Sequence, residues 1–156
     1  MIIALCLWGA WYELARMRLG RSLRRLERVS AELFANAENP RARIRARSEL
    51  TDVEALIERF GWSADLHMIA AVNYRTLGQL SAAARHYEAA LAVDYRPEIL
   101  MNLAIVHFES GRNENAVSLF AEAVEYDPSY LSIVPPSLVK TVNDAARERS
   151  KMPSSQ

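Results

Sequence analysis

A chain of 156 residues with 51% apolar and 24% charged positions is long enough for one domain with a real core, which excludes disorder over its whole length. The formal net charge of zero conceals a split: residues 1–48 carry ten arginines against four glutamates, whereas residues 49–156 carry nine basic and fifteen acidic groups. That acidic second part argues against general nucleic-acid affinity, and the lone Cys6 excludes an intramolecular disulfide or a multi-thiolate metal site.

The chain opens on the apolar run MIIALCLWGAWY, with Trp8, Trp11 and Tyr12 placed as interfacial aromatics would be. As a helix, this run covers about 18 Å against a hydrocarbon core of about 30 Å. Extension to Leu19 reaches about 28 Å and takes in Glu13, Arg16 and Arg18, whose side chains can snorkel to the headgroups. Arg16, Arg18, Arg21, Arg24, Arg25 and Arg28 form a membrane-proximal basic set, which the positive-inside rule keeps in the cytoplasm. The expectation is a single-pass inner-membrane anchor over residues 1–19 with the remainder cytoplasmic. The alternatives are a cytoplasmic protein whose first helix is buried against its own domain or a partner, and a signal peptide. The last fits poorly, since no basic residue precedes the run and no small-residue cleavage pattern follows it.

Leu19, Leu23, Leu26, Val29 and Leu33 recur at spacings of three and four, so the first helix is expected to continue amphipathically through residues 1–35. Residues 36–61 form a helical connector: a break at 36–39, Pro40 as a first helical residue, then one helix or two short ones ending at Gly61. Within it, RARIRAR at 41–47 sets Arg41 and Arg45 opposite Arg43 and Arg47 around a helix. No single basic face results, and no aromatics are interleaved to stack on bases.

Residues 64–96 repeat as residues 97–129. Tyr74 pairs with His107, Gly78 with Gly111, Ala83 with Ala116, Tyr87 with Phe120, Ala90 with Ala123 and Asp94 with Asp127. A 33-residue period means stacked helical hairpins, here helices at 64–77 and 81–93, then 97–110 and 114–126, each pair turning at a glycine. Ser81 and Asn113 stand as candidate caps of the second helices. The small residues permit close helix approach, and Tyr87 and Phe120 fill the space between helices.

These positions resemble the tetratricopeptide repeat family. The first unit supplies Tyr74, Gly78, Ala83, Tyr87 and Ala90; the second supplies Leu103, Gly111, Ala116, Phe120, Ala123 and Asp127-Pro128. His67 and Leu100 stand where the family has tryptophan, Ala70 where it has leucine, Ala71 and Ala104 where it has glycine, and His107 where it has tyrosine. The period is one residue short of 34. The resemblance implies an all-α, helical-hairpin solenoid with the long N-terminal helix before it. Two repeats need flanking cover: residues 40–60 in front and a capping helix over 136–150 behind, with 151–156 as a disordered tail.

In this family the first helices line a concave face. The resemblance places Asp65, Met68, Val72 and Arg75 there from the first unit, with Glu98, Met101, Asn102, Ile105 and Phe108 from the second. A mainly apolar, methionine-bearing face suits a protein or peptide partner packed by shape, with the charged residues setting register. The other occupant open to it is the chain's own N-terminal helix.

His67, His86 and His107 lack carboxylate or thiolate neighbours at ligand spacing, so no metal or cofactor is expected, and His107 takes an aromatic packing position. Ser63, Asp65 and His67 share the letters of a hydrolytic triad but diverge around a helix, so neither an enzyme nor a small-molecule substrate is expected. The order of parts resembles bacterial membrane-anchored repeat adaptors. A structural subunit of a larger membrane complex, or a soluble repeat protein with its first helix buried, are the alternatives.

Overall fold

The structure is a computed structural model that describes residues 39–61 and 63–151, together with Gly20, Arg24, Leu26 and Arg28. The described residues form no strand. Six α-helices are bounded: α1 Pro40–Phe60, α2 Ala64–Thr76, α3 Leu80–Val93, α4 Pro97–Glu109, α5 Asn113–Tyr126 and α6 Val139–Arg149. A short 3-10 helix, Pro128–Ser132, lies between the last two.

Helix α1 starts where its sequence says it can. The Asn39 side chain accepts a hydrogen bond from the Arg41 N–H at 2.9 Å, and Pro40 takes a position whose N–H would go unused. It runs 21 residues without interruption, so the two-helix option for this stretch is not realised. Ala42, Ala46, Val53 and Phe60 are its buried stripe. The RARIRAR arginines face outward around it, and Ile44 among them is 73% exposed.

Both repeat hairpins turn by one device. Gly78 and Gly111 each adopt φ +77°, a left-handed conformation that a Cβ disfavours. At the first turn the Gly78 N–H donates to the Arg75 carbonyl and the Gln79 N–H to the Tyr74 carbonyl, both at 2.9 Å. At the second, Gly111 donates to Phe108 at 3.0 Å and Arg112 to His107 at 2.9 Å. This is the Schellman closure, in which carbonyls orphaned at a helix end are satisfied from beyond the glycine. It also displaces the expected caps. Gln79 and Arg112 close one helix and cap the next, so Asn113 is already the first residue of α5 and Ser81 the second of α3. Neither helix has a side-chain cap bond.

The hairpins α2–α3 and α4–α5 stack as antiparallel pairs, and α1 meets α2 as α3 meets α4 and α5 meets α6. The 33-residue offset continues upstream: α1 ends at Phe60, α3 at Val93 and α5 at Tyr126. Helix α1 therefore holds the place of the second helix in a preceding hairpin. Leu26, helical and 6% exposed, joins Val53 and Phe60 of α1 and Leu66, Ile69 and Ala70 of α2 in one apolar cluster. A second cluster centres on Tyr87 between α2, α3 and α4. The third surrounds Phe120 and is closed by Val134 and by Val142 and Ala146 of α6. At about 25 cal/mol per Å² of apolar area removed from water, these joints are the main favourable contribution to folding.

The expected inner-membrane placement needs correction. Among the described residues no helix is long and apolar enough to cross a membrane, so a single-pass protein is not supported. The run 1–19 on which that expectation rested, with Arg16 and Arg18, lies outside the described residues, as do Arg21 and Arg25. Arg24 and Arg28 are described, helical and exposed.

Candidate protein-binding groove

The expected groove residues lie on first helices α2 and α4. Asp65, Met68, Val72 and Arg75 on α2 are half-buried, as are Glu98, Asn102, Ile105 and Phe108 on α4. Met68 and Val72 lie against the cluster that holds Ile99, Leu103 and Val106. Ile105 and Phe108 lie against the cluster closed by α6. Met101 differs: it is 4% exposed and sits inside that last cluster, so its side chain serves the core.

The charged residues are paired with one another. Arg75 donates from Nε to Glu109 Oε2 at 2.8 Å and from Nη2 to Oε1 at 2.5 Å, a two-pronged bond that ties the end of α2 to the end of α4. Arg96, in the linker between the hairpins, donates from Nη2 to Asp65 Oδ1 at 2.7 Å. It also lies 3.0 Å from Asp94 Oδ2 and 3.4 Å from Glu98 Oε1, and its Nη2 stands 3.3 Å from the Met68 sulfur. One guanidinium thus faces three carboxylates, which leaves excess negative charge on the rim among the described residues. These pairs span the joint between hairpins, so they hold its angle. Sequence reasoning missed Arg96 and Glu109. Arg96 lies in the shortened connection before Pro97, and Glu109 sits one residue beyond the part of α4 assigned to the groove.

Away from the groove, sequence reading had set the histidines aside, yet two of them meet. His67 on α2 and His86 on α3 face each other with their Nδ1 atoms 3.2 Å apart, and His67 Nε2 lies 3.2 Å from the Gly61 carbonyl oxygen. The Tyr74 ring stacks on His86 at 5.2 Å between centroids, and the Tyr74 hydroxyl donates to the Glu54 carboxylate of α1. Burial, then the neighbouring His67, pushes the His86 pKa down. His107 is 5% exposed in the packing role expected for it, its pKa lowered by burial and then by Arg112. Among the described residues no group of three or more histidine, cysteine or acidic side chains is placed to hold a metal.

Residues 70–130 match the sequence profile of the tetratricopeptide repeat family. Human protein O-mannosyl-transferase TMTC1 is 39% identical over 67 residues, which are 40% of this chain and 8% of that protein. The chain thus corresponds to a small part of that relative, and the mannosyl transfer in the relative's name is said of the relative. No solved structure matches. With the stacked hairpins, these matches show tetratricopeptide repeats within residues 70–130, a type of repeat that suggests a scaffold for protein–protein interaction.

Proposed function

We propose that the α2–α4 face binds a polypeptide partner, and that this partner presents an apolar strip flanked by lysine or arginine. The observation that carries this reading is the rim: Asp65, Asp94 and Glu98 converge on one described guanidinium, Arg96, beside the partly exposed Met68. Half-buried Val72, Ile105 and Phe108 supply apolar area, and Met68 supplies an adaptable thioether. The rim charge selects sign and accelerates encounter more than it adds affinity. An amphipathic helix satisfies both demands at once.

Screening helical peptides of matched hydrophobicity but opposite flanking charge, read by fluorescence anisotropy, tests the reading. Basic-flanked peptides should be preferred, with weaker binding at high salt, and Ile105→Asp should remove binding while preserving the helical circular dichroism. A preference for acidic flanks, or hits indifferent to Ile105→Asp, would contradict it.

A further inference from the structure

We infer that the contact between His67 and His86 is an acid-sensitive latch that closes α1 onto the first hairpin. The two Nδ1 atoms lie 3.2 Å apart and the ring centroids 5.5 Å apart, the end-to-end arrangement of one imidazole donating to another. A carbonyl oxygen can only accept, so the contact of His67 Nε2 with the Gly61 oxygen fixes the proton of the neutral ring on Nε2 and leaves a lone pair on Nδ1. His86 Nδ1–H is then the donor. The pair accommodates one further proton, on His86 Nε2, without loss of this bond. The next proton has only His67 Nδ1 to go to, and there it sets the N–H groups of two cations end to end.

Either way of relieving that clash falls on α1. If His67 turns away, the Gly61 carbonyl at the end of α1 loses its donor. If His86 turns away, Tyr74 loses the ring on which it stacks, and the Tyr74 hydroxyl is what ties α2 to Glu54 of α1. Leu66, Ile69 and Ala70 of α2 share an apolar cluster with Val53 and Phe60 of α1, so release of α1 uncovers them. The groups that face His86 come from all three helices. Glu54 of α1 favours its charged form, His67 of α2 and Arg85 of α3 oppose it, and Tyr74 of α2 covers the ring. Burial opposes the charge most, so the folded pKa of His86 lies below the unfolded value of about 6.5. The stability this contributes is complete above that value and is lost as pH falls through the depressed one.

The test is amide hydrogen exchange of the full-length chain at pH 7.5 and pH 5, corrected for the intrinsic pH dependence of exchange. Opening of α1 should rise by about tenfold or more over that interval, and by more than opening of α5. His86→Phe keeps a ring beside Tyr74, and His67→Gln keeps a donor for the Gly61 carbonyl, but neither leaves two imidazoles to charge. Each should cut the rise at α1 to about threefold or less. Because either substitution could loosen the joint at every pH, the imidazole 15N resonances of the parent chain give a second readout. At pH 7.5 they should place the His67 proton on Nε2 and the His86 proton on Nδ1. Equal protection of α1 at both pH values, a rise no larger than that at α5, a larger residual rise in either variant, or the opposite pair of tautomers would overturn the inference.

Discussion

Tyr87 and Phe120 occupy equivalent places in consecutive hairpins, and both are fully buried. Among the described residues the Tyr87 hydroxyl has no hydrogen-bond partner, and burial pushes its pKa above the usual tyrosine value. A buried hydroxyl left unpaired costs about 1–3 kcal/mol, and Phe120 shows that the site is filled by the ring alone. Tyr87→Phe is therefore expected to raise stability by about 1 kcal/mol in urea unfolding. Phe120→Ala should cost about 3–5 kcal/mol by opening a cavity. His107 supplies a pH dependence. Its folded pKa lies below the unfolded value near 6.5, because burial, and secondarily Arg112, disfavour the charged ring more than Glu88 favours it. The stability this contributes is complete above that unfolded value and is lost as pH falls towards and through the depressed one. Urea midpoints between pH 7.5 and 5 should fall less steeply for His107→Phe than for the parent chain.

At the scale of the element, the glycine turns connect sequence to fold most directly. Gly78 and Gly111 announced themselves by their 33-residue spacing, and both take the positive φ that makes glycine the residue of least cost there. A Cβ at either would meet nothing within 4 Å, so the cost of substitution is torsional rather than steric. Gly78→Ala and Gly111→Ala should each lower stability by about 1–2 kcal/mol, measured by thermal or urea unfolding, and the effects should add across the two turns. The caps were not legible, because Ser81 and Asn113 carry favourable side chains while the Schellman closure assigns the boundary to Gln79 and Arg112. Helix α1 was readable as a helix covering the first repeat, but not as the second helix of a preceding hairpin. At the 33-residue offset, Leu50, Glu54 and Ile57 stand where Ala83, Tyr87 and Ala90 mark the second helix of the next hairpin.

Across the whole molecule, stability is distributed over joints, each hairpin depending on its neighbour. Helix α6 covers the last joint with Val142, which is fully buried, and Ala146. Val142→Asp should cost more than about 3 kcal/mol, the penalty for burying an unpaired carboxylate, and expose α5 first in hydrogen exchange. The helical array was legible because packing imposes a period. The groove remains an expectation of the sequence, which did not foresee that Met101 is buried in the last cluster or that the charged positions find partners within the chain. His67 and His86 lie 19 residues apart, and only the fold brings them together. The reading that an open α2–α4 face takes a basic amphipathic polypeptide is tested most directly by backbone amide NMR of the chain titrated with the tightest basic-flanked helical peptide. Shifts are expected at Met68, Val72, Asn102, Ile105 and Phe108, with the exposed Tyr95 and Tyr126 unmoved. Shifts confined to Tyr95, Tyr126 and the outer surfaces of α3 and α5 would contradict it.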